Sequence, residues 1–154
     1  MDETATAALL YRKILVPCVD LASATASITA AAALATVFDS EMLVLHVVHP
    51  KEYVDYAKEH IHDRVTPLPV NALQSFERKL APVLERFAAA GAPARLYLET
   101  GDPGSKICEF AAAQGVDLLV MTRRSLGFWD RLMGGGSVTE YVLRHAPCSL
   151  LIAQ

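Results

Sequence analysis

Three consecutive glycines run into a serine at Gly134-Gly135-Gly136-Ser137, and Arg123, Arg124 and Arg131 stand shortly before them. Together these residues offer the chemistry of an anion site. Glycine removes the side chain where a backbone must approach a ligand or adopt positive φ. Ser137 is placed to cap a helix, and the first N–H groups of a helix carry partial positive charge. A phosphate there takes the amides of Gly136 and Ser137 and the Ser137 hydroxyl, with charge-assisted bonds from the arginines. A glycine linker, an ordinary N-cap and solvated arginines explain the same residues equally well.

Other chemistries fit less well. The run GDPGSK at 101–106 lacks the G-x-x-x-x-G-K-[ST] spacing of a phosphate loop and suits a turn with Pro103 at a helix start. No G-x-G-x-x-G marks a dinucleotide site. His46, His49, His60 and His62 lack a second set of ligands at fixed spacing, so packed or solvated rings are expected. Cys18, Cys108 and Cys148 form no C-x-x-C and read as buried free thiols. There is no Ser-His-Asp order with a nucleophile elbow and no paired carboxylates in a loop. A dedicated enzyme is not expected. A bound Mg2+ would draw on Asp20 and Asp130.

Periodicity supplies the elements that must carry these groups. Continuous apolar runs at 13–17, 41–48, 117–121 and 149–153, with an alternating one at 94–99, predict five strands. An alanine-rich helix is expected over 23–38 with Ser23 as its N-cap. Leu73, Phe76, Leu80, Leu84 and Phe87 recur at helical spacing within 70–90, where Pro82 marks a kink or break and Gly91 a C-terminal cap. Further helices are predicted from Pro103 to Gln114, closed by Gly115, and over 137–144, ended by Pro147. The irregular 49–69 segment holds a short helix around 53–60 and then a loop. Strands alternating with helices predict an α/β fold, a parallel sheet with helices on both faces. One domain spans 1–154, with about ten residues of N-terminal lead. In open parallel sheets ligands sit beyond the C-terminal strand ends where the strand order reverses. The loops after the first and fourth strands, PCVDLAS and TRRSLGFWDRLMGGGS, are therefore the places to look, and Trp129 in the second is expected to pack.

Composition excludes several function classes. The 154 residues are 53% hydrophobic and 20% charged, as in a globular chain. A net charge of −3 lacks the basic surplus expected of a nucleic-acid binder. The apolar runs fall short of the roughly 18 residues that span a membrane. Met1-Asp2-Glu3 is acidic where a signal peptide would be basic, so the expected location is cytoplasmic.

Along nearly its whole length the chain resembles the universal stress protein (UspA-like) family. The residues that carry this are KILVPCVD, LHVV, GDPGSKICEFAAAQGVDLLVM and, most specifically, GSVTEYVLRHAPCSLLI at 136–152. The resemblance implies a five-stranded parallel sheet ordered 3-2-1-4-5, the adenine nucleotide alpha hydrolase-like arrangement. It implies a homodimer built through the last strand, 149–153, and a role in stress response or regulation. The nucleotide-binding branch holds ATP between the loops after strands one and four, and slow ATP hydrolysis is the most that the resemblance implies. Its pattern is Gly, two residues, Gly, nine residues, then Gly followed by Ser or Thr. Here Gly136-Ser137 and the following Val138 match, whereas the first two glycines fall on Thr122 and Ser125. Ten residues, Leu126 to Gly135, separate Ser125 from Gly136. Val-Pro-x-Asp becomes Pro17-Cys18-Val19-Asp20, one residue longer, and Val47 matches the site whose backbone faces the adenine. By this match the nucleotide-binding set is Pro17, Asp20, Val47, Met121, Thr122, Arg124, Ser125, Gly135, Gly136, Ser137 and Val138. The family also contains dimers that bind no nucleotide and act through protein–protein contact, and loss of those glycines separates the two kinds.

Overall fold

The structure, a computed structural model, describes residues 10–49, 70–123 and 137–154. The expected helix at 53–60 lies outside them. So do Arg124, Ser125, Trp129, Asp130, Arg131, Gly134, Gly135 and Gly136, and the side chains of Ser137 and Val138.

The chain runs β1 (Lys13–Pro17), α1 (Leu21–Phe38), β2 (Glu41–Val48), α2 (Val70–Ala89), β3 (Ala94–Thr100), α3 (Pro103–Gln114), β4 (Leu118–Thr122), α4 (Ser137–His145) and β5 (Ser149–Ala153). The five strands form one sheet in the order β3-β2-β1-β4-β5. Every pairing is parallel. That is the expected arrangement, and continuous apolar strands follow from it, because helices cover both faces.

Side chains alternate across each strand, so the sheet divides the core in two. Ile14, Val16, Met42, Val44, Leu118 and Val120 meet Ala24, Ile28 and Ala31 of α1 and Leu80, Val83 and Phe87 of α2. Leu15, Leu43, Leu45, Val47, Leu119 and Met121 meet Ile107, Phe110 and Ala111 of α3 and Val142 of α4.

Two helices differ from expectation. Asp20, not Ser23, caps α1: its extended backbone (φ −156°, ψ 173°) lets the carboxylate accept from Ser23 N–H at 2.8 Å, so the helix starts at Leu21. At 18 residues α1 is also long and apolar enough to cross a membrane by length and composition, which corrects the reading of the apolar runs. Its Ala24, Ser27, Ile28, Ala31, Ala32 and Ala35 form a buried row against the sheet. The other helix, α2, continues through Pro82. Leu80, Val83 and Phe87 flank the proline and are fully buried, and that burial outweighs the one helical bond a proline forgoes.

Strand starts are tied at the lower end of the sheet. Asp117, one residue before β4, accepts from Arg12 N–H and Lys13 N–H through Oδ2, both at 2.9 Å. At the upper end, α3 begins with Pro103 in its first turn and ends at Gly115, φ 65°, both as predicted, and Asp102 supplies its N-cap by accepting from Ser105 N–H. Gly104 in that first turn lets α4 come close: a Cβ there would lie 3.2 Å from Tyr141 Cδ1.

Candidate functional site

Strand order reverses between β1 and β4, and the crevice at the C-terminal ends of these strands is the expected ligand position. β1 brings up one wall. After Pro17, which is buried, Cys18 N–H donates to Leu45 O at 2.9 Å and adds a last rung to the ladder with β2. The Cys18 carbonyl accepts from His46 Nδ1, also at 2.9 Å. Cys18 then packs into the α1–α2 core and Val19 into the α3–α4 core, and Asp20 turns outward to cap α1. The extra residue relative to Val-Pro-x-Asp is absorbed in this way, one side chain to each side of the sheet.

Charge at this wall follows from burial and hydrogen bonding. Burial works against the Asp20 charge, but hydrogen bonds from Ser23 backbone and side chain, with the positive charge of Lys79 and the neighbouring His46 ring, bring its carboxyl below the ordinary value. The Cys18 thiol is pushed up to about 12 by burial, with the Asp20 charge adding to the rise and Lys79 opposing it. Burial likewise raises the Cys108 and Cys148 thiols. All three cysteines are free; Cys18 and Cys108 are buried as expected, whereas Cys148 is only half-buried, and with raised thiols none is a ready nucleophile.

β4 brings up the other wall. Met121 is fully buried in the α3–α4 core. Thr122 turns to α1, where its Oγ1 accepts from Ser27 N–H at 2.9 Å. Its hydroxyl therefore fastens β4 to α1. Arg123 is exposed, and with Thr122, Ala22, Thr25, Ala26 and Gln154 it lines a groove of about 690 Å3. That volume lies within the range of small-molecule pockets. From Arg123 the chain leads on to α4, whose first residue is Ser137. Among the described residues no group of three or more His, Cys, Asp or Glu is arranged to hold a metal ion.

The structure thus brings Pro17, Asp20, Met121 and Thr122 to neighbouring strand ends and places Ser137 and Val138 in the first turn of α4, Ser137 as its first helical residue and not, as expected, the cap before it. Val47 is fully buried near the end of β2 with its side chain in the α3–α4 core. Two residues of this region escaped sequence reasoning. Lys79 of α2 carries the charge felt by both Cys18 and Asp20. His46 had been expected only to pack. The alternation of EMLVLHVV already set it apart, as a polar ring in a strand otherwise apolar after its first residue.

Comparison with known proteins agrees with this geometry. Universal stress protein MJ0531 of Methanocaldococcus jannaschii is 28% identical over 149 residues, covering 94% of this chain and 83% of that one. The solved universal stress protein from Archaeoglobus fulgidus, in complex with dAMP, superposes with a TM-score of 0.68 at 17% identity, over 95% of this chain and 100% of that one. A universal stress protein in complex with cAMP has a TM-score of 0.68 at 20% identity, over 94% and 98%. At these identities the solved structures establish the fold. The model of the universal stress protein family matches residues 10–154, and the chain therefore belongs to the universal stress protein family.

Proposed function

We propose that this chain binds an adenine nucleotide in the crevice between β1 and β4 and serves a stress-response or regulatory role in the cytoplasm. One observation carries the reading: beside the strand-order reversal, a groove of about 690 Å3 between α1 and the C-terminal ends of β4 and β5 is lined by Arg123, which leads from β4 toward the start of α4. Phosphate is the group that an arginine and helix N–H groups hold best. The relatives of the same fold captured with dAMP and cAMP support adenine as the base. ATP with Mg2+ is the larger ligand of the same class. Calorimetric titration with AMP, cAMP and ATP, with and without Mg2+, ranks them. Under this reading at least one binds, and Ser137→Ala weakens it about tenfold, the worth of one charge-assisted hydrogen bond. Absence of heat with all three, and no nucleotide carried through purification, would reject it.

The working unit we infer is a homodimer formed through β5. Leu151 on this edge strand is 38% exposed and Leu143 on α4 is 57% exposed. Large apolar side chains left open beside an unpaired strand edge suit a partner of the same kind.

A further inference from the structure

His46 is wholly buried and projects from β2 toward α2, where its ring lies against Phe76 with centroids 5.4 Å apart. A buried polar ring is costly unless hydrogen-bonded. His46 makes such a bond to the Cys18 carbonyl. A carbonyl oxygen only accepts, so the nitrogen 2.9 Å from Cys18 O carries hydrogen, in the neutral ring and in the imidazolium alike. Both peptide groups of Cys18 are thus held by consecutive residues of β2, the N–H by Leu45 O and the carbonyl by the His46 ring. Two residues later Asp20 must stand where its carboxylate reaches Ser23 N–H.

We propose that His46 is a positioning residue: its Nδ1–H fixes the Cys18 carbonyl and so sets the course of Cys18–Val19–Asp20 along one wall of the nucleotide crevice. The functional consequence rests on the nucleotide reading above; the structural one does not. A ligand gripped by a loop gains affinity when that loop is ordered beforehand, since less conformational freedom is lost on binding.

Two variants test this. His46→Asn keeps a side-chain N–H at a reach similar to Nδ1. His46→Leu fills the space and removes the donor. Amide exchange by NMR on nucleotide-free protein should show the Cys18 and Ser23 amides losing about tenfold protection in His46→Leu and regaining most of it in His46→Asn. Leu15 and Leu119, in the other half of the core, should hold their protection throughout. AMP affinity should follow the same order, about tenfold weaker in the leucine variant and within about threefold of the parent in the asparagine variant. Unchanged protection of Cys18 and Ser23 in His46→Leu overturns the proposal. So does an even loss that includes Leu15 and Leu119, which would mark a mere packing residue, or failure of asparagine to restore either readout. If the parent protein binds no AMP, the nucleotide reading falls, while the exchange data still decide the clip.

Discussion

Asp20 stands three residues beyond the end of β1 and starts α1, so its carboxylate belongs both to a helix and to a crevice wall. Asp20→Ala should lower stability by about 1 kcal/mol at pH 7, the usual worth of an N-cap. The pH dependence has a definite sign. The folded carboxyl sits below its ordinary value, so its contribution is complete above the unfolded value of about 3.9 and is lost as pH falls through the lowered folded one. Urea denaturation of parent and variant from pH 7 downward should therefore show their difference shrinking below about pH 4. Ser23 is also a good capping type, and residue type alone does not decide between the two. The extended backbone at Asp20 decides it, by bringing the carboxylate within 2.8 Å of Ser23 N–H and leaving Ser23 inside the helix. Thr122 invites a second test. It occupies a position where the nucleotide-binding pattern has glycine, yet its hydroxyl is turned to α1. Thr122→Gly should leave AMP affinity within about threefold while costing about 1–2 kcal/mol in stability, from the lost hydrogen bond and the looser backbone. A large gain in affinity would mean that the threonine crowds the phosphates after all.

Helix α4 carries Ser137, and its placement depends on a neighbour. Tyr141 seats against the first turn of α3 at Gly104 and stacks on His145 with ring centroids 4.1 Å apart. Gly104→Ala puts a methyl 3.2 Å from the tyrosine ring, tighter than ordinary contact. The expected cost is about 1–2 kcal/mol of overpacking, with a drop in nucleotide affinity because the start of α4 shifts. Thermal melts and calorimetry read the two effects separately. At this scale much was legible in the residues. Strands buried on both faces must be unbroken apolar runs, and Pro103 with Gly115 marks both ends of α3. Of the kink or break that Pro82 suggested, the break does not occur, because local chemistry argues for one while the burial of Leu80 and Phe87 on the same helix is a tertiary effect. The clip between His46 and Cys18 was illegible for a similar reason. Its partners are 28 positions apart and meet only once β1 and β2 pair.

For the whole molecule, strand order came from family resemblance, since periodicity predicts a parallel sheet but not which strand neighbours which. The order β3-β2-β1-β4-β5 leaves β5 on an edge, and the inferred homodimer is tested there. Leu151→Lys should convert a dimer into a monomer in sedimentation velocity while the far-ultraviolet circular dichroism stays unchanged, because the side chain already meets solvent. A parent protein that sediments as a monomer at micromolar concentration would refute the pairing. The same parallel arrangement gives the two ends of the sheet different exposure to manipulation. Lys13 opens β1 at the pole fastened by Asp117, whereas Gln154 follows the last strand and lines the groove. A purification handle fused after Gln154 would begin at the mouth of the pocket and shadow any titration. Fused ahead of the first strand, it would hang from the far side and leave the measurement clean.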